Sequence, residues 1–157
     1  MTALTVKAHL DALGLGLQII EHGQSTATVA LAAKAFGVAE GQIAKTLAFR
    51  LGNGQAVLVV ASGDVRVDNG KFKQVLGRGK MLPHDDVVAL TGHPVGGVCP
   101  FGLATPLPIY LDQSLLAYDE VVPAAGGTHN GVRMSPQVLA AITQGEWVDV
   151  CSGEKRQ

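Results

Sequence analysis

A lysine in the apolar row of a predicted strand is the first indication of chemistry in this chain. In the stretch 43–50, alternation puts Lys45 on the same face as Ile43, Leu47 and Phe49. An ammonium group is costly to bury unless it pairs with an anion or extends to water. The pattern therefore predicts one of two arrangements. Either Lys45 meets an anionic ligand, or the strand lies at a sheet edge and the lysine reaches solvent.

A glycine-rich loop is the second candidate feature. Residues 93–102 read His-Pro-Val-Gly-Gly-Val-Cys-Pro-Phe-Gly. Gly96 and Gly97 allow backbone amides to approach a ligand closely, and Pro100 stiffens the loop. Such a loop can donate N–H groups to an ester carbonyl or a phosphate, although an ordinary helix-to-strand turn has similar residues. It matches neither a P-loop nor the spacing of a dinucleotide-binding fingerprint.

A second glycine-rich loop, residues 124–131, contains Gly127, Thr128, His129 and Asn130. Its polar groups could line a pocket and bond a ligand. A single histidine in a loop is more commonly solvated, so this segment alone assigns no function.

Cys99 raises the alternative of a thiol nucleophile, with His93 or His129 as its base. Free cysteine more often serves as a small buried hydrophobe, which favours a role in a pocket wall. Cys99 and Cys151 are too few for a disulfide scaffold, and their spacing is not that of a zinc motif. We therefore expect a reduced protein with no metal site.

One basic cluster stands out between residues 71 and 80. Lys71, Lys73, Arg78 and Lys80 occur there with no acidic residue among them. The cluster predicts either a contact patch for a few phosphates or a solvated helix face.

Alternating short helices and strands must position these groups. Thr26 or Thr28 can cap the helix at 29–36, and Gly37 suits its left-handed end. Residues 57–60 are apolar on both faces, which favours a central strand. The helices are predicted over 6–13, 29–36, 68–76, about 85–92 and from 135, and the strands over 17–21, 44–50, 55–61, 109–111, 120–122, 132–134 and 147–151. This order predicts a single α+β (mixed α/β) domain, residues 1–157, around one mixed sheet.

The composition excludes several classes of protein. Hydrophobic residues make up 47% and charged residues 16%, which is not the composition of a disordered chain. No apolar run is long enough for a membrane span, and the N-terminus does not read as a signal peptide, so we expect a cytoplasmic protein. The net charge of -1 lacks the basic excess typical of proteins that wrap a nucleic-acid duplex. Any nucleic acid should therefore be held over a small footprint.

Two segments resemble the YbaK/ProX family of aminoacyl-tRNA deacylases, free-standing relatives of the editing domain of bacterial prolyl-tRNA synthetases. They are Gly-Gln-Ile-Ala-Lys-Thr-Leu-Ala-Phe at 41–49 and Gly-Gly-Val-Cys-Pro-Phe-Gly at 96–102. The catalytic lysine of that family matches Lys45, and its Gly-x-x-x-Pro loop matches Gly96 to Pro100.

This resemblance implies hydrolysis of the ester that joins a small wrong amino acid to the 3′ end of a tRNA, most simply tRNA(Pro). It implies a partly barrel-like mixed sheet with flanking helices, no metal and no organic cofactor. Lys45 would hold the terminal phosphate or orient the substrate, while Gly96 and Gly97 would contact the ester carbonyl and place the water. The remaining expected substrate contacts are Thr46, Val98, Cys99, Pro100, Phe101, Gly127, Thr128 and His129, and the expected tRNA contacts are Lys71, Lys73, Arg78 and Lys80.

The expected partners are the acceptor end of an aminoacyl-tRNA and an aminoacyl-tRNA synthetase, with no membrane and no DNA duplex. A non-catalytic module that binds aminoacyl-tRNA or a synthetase remains the alternative, because the same loop and basic patch would serve it.

Overall fold

The computed structural model describes residues 3–153, which contain five α-helices and ten β-strands. The helices α1–α5 span Ala3–Ala12, Val29–Phe36, Asn69–Leu76, His84–Thr91 and Pro136–Thr143. The strands β1–β10 span Ile19–Glu21, Ile43–Leu51, Ala56–Ser62, Val65–Val67, Gly79–Met81, Ile109–Asp112, Val122–Pro123, Asn130–Val132, Glu146–Val148 and Cys151–Gly153. The ends of the predicted domain, residues 1–2 and 154–157, lie outside the described residues.

Side-chain caps fix the starts of three helices. Thr28 Oγ1 accepts a hydrogen bond from the N–H of Leu31, so of the two predicted threonines it is Thr28 that caps α2. Asp68 caps α3 and Ser135 caps α5 in the same way. Gly37 ends α2 with φ of 70°, as predicted.

The main sheet has six strands and mixed directions. Its order is β5-β2-β3-β6-β9, and β7 pairs with the other end of β2. The β2–β3 hairpin is antiparallel, whereas β3, β6 and β9 run parallel to one another. Two further sheets pair β1 with β8 and β4 with β10. The predicted mixed α/β class is confirmed, and over residues 3–153 the sheets do not form a closed barrel.

The centre of the fold is β3, as its two-sided apolar pattern predicts. Its residues 57–61 are fully buried. Leu58 and Val60 belong to one core with Phe101, while Val57 and Val59 belong to a second core on the other face. Burial on both faces makes β3 the rigid support of β2, the strand that carries Lys45.

One local prediction was wrong, and two short strands were not predicted. The short strands β4 and β5 were not predicted, because three residues are too few for a clear alternation. The strand predicted over 147–151 is two strands, since β9 pairs with β6 whereas β10 pairs with β4. Between them, the N–H of Val150 donates to Asp112 Oδ1 at 2.8 Å, which ends the first pairing. Other boundaries differ by up to three residues.

Within residues 3–153, none of the helices has the length and apolar character that a bilayer crossing requires.

Candidate active site

Two clefts adjoin β2 at the level of Lys45. The larger has a volume of about 840 Å³ and the smaller about 270 Å³. Lys45, Leu47 and Met81 line both. β2 therefore separates two cavities of different chemistry. It carries Lys45, which the sequence singled out by its position in an apolar row.

The larger cleft, here called the basic groove, concentrates the positive charge of the chain. Six of the twelve Lys and Arg residues line it, and no Asp or Glu does so among residues 3–153. Its apolar floor includes Phe49 and Phe72. The basic residues are Lys45, Arg50, Arg66, Lys73, Arg78 and Lys80. A protein with net charge -1 thus presents one strongly positive groove, which suits an anionic ligand with a small footprint.

The smaller cleft, here called the small cleft, occupies a gap in the main sheet. One edge of β2 pairs with β7 at residues 43–44 and with β5 at residues 49–51, so residues 45–47 have no strand partner there. The N–H of Leu82 donates to the carbonyl of Ala48 at 3.0 Å and marks one end of the gap. The alternation of the ladder directs the backbone N–H and C=O of Thr46 into this gap. Thr46 Oγ1 is also buried, without a hydrogen-bond partner among the described residues.

Lys45 is half-buried, and its ammonium group donates to the carbonyl of Val65, the first residue of β4. The hydrogen bond satisfies a cation on an otherwise apolar face. Because β3 flanks β2 along its length and β5 and β7 flank its ends, the lysine is not on a simple edge strand. The local gap nevertheless leaves Lys45 on the lining of both clefts.

A tight turn shapes the first glycine loop. The N–H of Gly97 donates to the carbonyl of Pro94 at 2.9 Å, and Gly96 has φ of 90°, as the third residue of a type II turn requires. A Cβ at Gly96 would lie 2.8 Å from Cβ of Ala27, so only glycine fits. Gly96 lines the small cleft and its N–H has no partner among the described residues, whereas the N–H of Gly97 is already bonded. The expected amide donor is therefore Gly96, and the expectation for Gly97 is corrected.

The second glycine loop supports the first, and of its residues 124–131 Ala124 lines the small cleft. The N–H of Gly126 donates to the carbonyl of Gly97 at 3.1 Å, and a Cβ at Gly97 would lie 2.7 Å from the nitrogen of Gly127. The carbonyl of Thr128 accepts the N–H of Thr26, a residue of the small cleft, at 2.7 Å. The carbonyl of His129 accepts the N–H of His22 at 2.7 Å. Gly127, Thr128 and His129 thus lie behind the lining of the small cleft, and their expected substrate contact stays a prediction.

Burial removes Cys99 from the candidate nucleophiles. Cys99 is 0% exposed and Phe101 1%. The thiol lies 3.6 Å from His93 Nε2 and donates to the carbonyl of Phe101. Desolvation raises the pKa of Cys99 to about 12 and lowers the pKa of His93 below its ordinary value, so the pair stays neutral. Cys99, Pro100 and Phe101 are buried behind the loop, which corrects their expected substrate contact; Val98 does line the small cleft.

The structure places Lys71, one of the four residues of the basic cluster, outside the basic groove. Its ammonium group lies 3.1 Å from Asp149 Oδ1 and 3.0 Å from the carbonyl of Cys151. The hydrogen bond to Asp149 raises the pKa of Lys71. Lys73, Arg78 and Lys80 line the basic groove and Lys71 does not, so the predicted cluster divides into three groove residues and one paired residue.

Six polar lining residues were not predicted from the sequence. Arg50, Arg66 and Asn69 line the basic groove, and Thr26, Thr28 and His84 line the small cleft. Arg50 could have been found, because it lies on the predicted strand and pairs with Lys80. The others depend on tertiary contacts.

Among residues 3–153, no group of three or more His, Cys, Asp or Glu side chains could hold a metal ion.

Comparison with known proteins assigns this chain to a family. Residues 24–142 match the aminoacyl-tRNA editing domain, and the chain belongs to this family. The matched region includes β2, both glycine loops and every residue of the basic groove.

Individual relatives agree with this assignment. The chain is 39% identical over 153 residues to YwhH of Bacillus subtilis, which covers 96% of this chain and 98% of that protein. It is 27% identical over 124 residues to EbsC of Enterococcus faecalis, named as a candidate Cys-tRNA(Pro)/Cys-tRNA(Cys) deacylase, covering 78% of this chain and 76% of that one. A crystal structure described as a candidate trans-editing enzyme for prolyl-tRNA synthetase superposes with a TM-score of 0.88 at 39% identity, over 96% of this chain and 97% of that one.

Proposed function

We propose that this protein is a trans-editing hydrolase that deacylates mischarged aminoacyl-tRNA. The substrate would be a small wrong amino acid esterified to the 3′ end of a tRNA, with tRNA(Pro) as the preferred carrier. Family membership supports the reaction class, and the names of the similar EbsC protein and trans-editing structure support tRNA(Pro).

The basic groove would receive the acceptor end of the tRNA. Six cationic side chains without a lining carboxylate provide an attractive field for several phosphates. The groove is local, and the chain as a whole has a net charge of -1. Binding at the single-stranded end, rather than along a duplex, fits both observations.

The small cleft would receive the aminoacyl group. Its volume of about 270 Å³ and its apolar lining suit a small side chain. Ala32, Phe36, Ile43 and Val87 are among the lining residues that limit its size. Steric exclusion would reject bulky groups, whereas a difference of one methylene contributes only about 1–3 kcal/mol.

Lys45 would act between the two clefts. We assign its ammonium group to the terminal phosphate or to the orientation of the substrate, and the N–H of Gly96 to the ester carbonyl oxygen, where negative charge develops. The oxygen of a water adds to the carbonyl carbon, and the bond to the 3′ oxygen of the tRNA breaks. The proton released by the water ends on that oxygen, which leaves a free amino acid and a tRNA with its 3′ hydroxyl.

The observation that carries this proposal is the position of Lys45 on the lining of both a strongly basic groove and a small apolar cleft. A binding module without catalysis would use the same surfaces. An aminoacyl-tRNA synthetase would be a further partner, and a cytoplasmic location would follow from the substrate.

The test is hydrolysis by the purified protein of tRNA(Pro) charged with Ala, Cys, Ser, Thr or Pro. We expect release of at least one small noncognate amino acid and sparing of proline. Tight binding of every substrate without release above the spontaneous rate would favour the binding module.

A further inference from the structure

We propose that Asn130 is a positioning residue that holds the wall of the small cleft, although it lines neither cleft; this inference rests on the function proposed above. The side chain is 2% exposed. Its Oδ1 accepts from the N–H groups of Gly127 at 3.1 Å and Ala125 at 3.3 Å. Its Nδ2 donates to Glu21 Oε2 at 3.2 Å and to the carbonyl of Ala125 at 3.4 Å. One amide thereby uses its full donor and acceptor capacity.

Two routes lead from Asn130 to the cleft. The first runs through Gly126 and Gly127, which contact the backbone of Gly97, the residue that closes the turn containing Gly96. The second runs through the carbonyl of Asn130, which accepts from Thr26 Oγ1 at 3.2 Å. Gly96 and Thr26 both line the small cleft. A shift of Asn130 would therefore move two parts of the cleft wall, including the proposed amide donor.

The contact with Glu21 makes this role testable without deleting a buried side chain. Glu21 is an exposed residue of β1, directly paired with Asn130 of β8. Its carboxylate accepts a charge-assisted hydrogen bond, which is stronger than a neutral one. Asn130→Asp keeps the shape but places a carboxylate against that of Glu21 in a partly buried site. The repulsion would displace the loop from its present position.

The experiment compares kcat and KM for the best mischarged tRNA among the wild type, Asn130→Asp, Glu21→Gln and the double variant. We expect Asn130→Asp to lower kcat by about tenfold to a hundredfold with little change in KM, because the basic groove is untouched. Glu21→Gln should remain near the wild type. The double variant should recover most of the kcat, because the glutamine amide can donate to the new carboxylate. Glu146→Gln, an exposed carboxylate on β9, is the matched control and should be neutral.

The pH profile gives a second readout that a merely structural role would not move. The activity of Asn130→Asp relative to the wild type should rise as the pH falls and one of the two carboxylates gains a proton. If Asn130→Asp does not fold, Glu21→Ala tests the same contact and should lower kcat while the protein remains folded.

A wild-type kcat in folded Asn130→Asp, or no recovery in the double variant, would overturn the inference. A wild-type protein that deacylates no substrate would instead refute the proposed function, so the two failures are distinguishable.

Discussion

Neutralising half of the basic groove should weaken tRNA binding without slowing the chemical step. Lys73→Gln, Arg78→Gln and Lys80→Gln together remove three of its six positive charges. Each phosphate contact with a single strand contributes about 0.7 to the slope of log affinity against log salt, so the slope should flatten by roughly 2. At about 0.1 M salt this corresponds to a rise in KM of up to about a hundredfold, if all three residues contact phosphates. The proposed aminoacyl contacts are unchanged, so kcat should change little.

The assay is deacylation kinetics across a series of KCl concentrations. Lys71→Gln is the matched control, because Lys71 belongs to the same sequence cluster but pairs with Asp149 outside the groove. It should leave the salt slope unaltered. An unchanged slope in the triple variant, or an equal effect of Lys71→Gln, would refute the assignment of the groove to tRNA.

Four further substitutions test the walls of the small cleft and the loop behind it. Cys99→Ser should keep most of the activity, because the thiol is buried and protonated; a collapse of the rate would revive a covalent mechanism. Burial raises the pKa of Cys99 to about 12, so protein stability should fall as the pH rises above about 9, where the unfolded thiol ionises first; denaturant titrations check this. Thr46→Val removes a buried hydroxyl without a partner, so Tm should rise by about 2–4 °C while deacylation slows; a lower Tm would contradict this. Gly97→Val should lower turnover of every substrate through its clash with the backbone of Gly127, and Gly127→Ala should act more mildly; equal rates in both would contradict the contact.

Local sequence signals predicted the elements that their own residues determine. The cap Thr28 and the left-handed Gly37 fix α2 at the predicted bounds. The two-sided apolar run 57–60 placed β3 at the centre of the sheet. Lys45 stood out because a cation in an apolar row conflicts with the simplest packing, and such conflicts tend to mark functional positions.

The features that the sequence could not predict depend on distant contacts. The gap beside Thr46 exists only because β7 and β5 pair with different ends of β2. Lys71 and Lys73 belong to the same basic cluster in the sequence, but Asp149 forms its ion pair with Lys71 and not with Lys73. Cys99 was predicted in a pocket wall because it lies in the first glycine loop, whereas the structure buries it in the core. Which of the two backbone N–H groups, that of Gly96 or that of Gly97, can bond a ligand likewise depends on the hydrogen bond that closes the turn.

The central claim is that Lys45 serves catalysis between the two clefts, and single-turnover hydrolysis by Lys45→Ala tests it most directly. The variant loses the hydrogen bond to the carbonyl of Val65 and should remain folded, as circular dichroism and thermal unfolding would verify. At saturating protein, we predict that release of the amino acid from the best mischarged tRNA falls to the spontaneous rate. A folded variant that deacylates at the wild-type rate would contradict the claim.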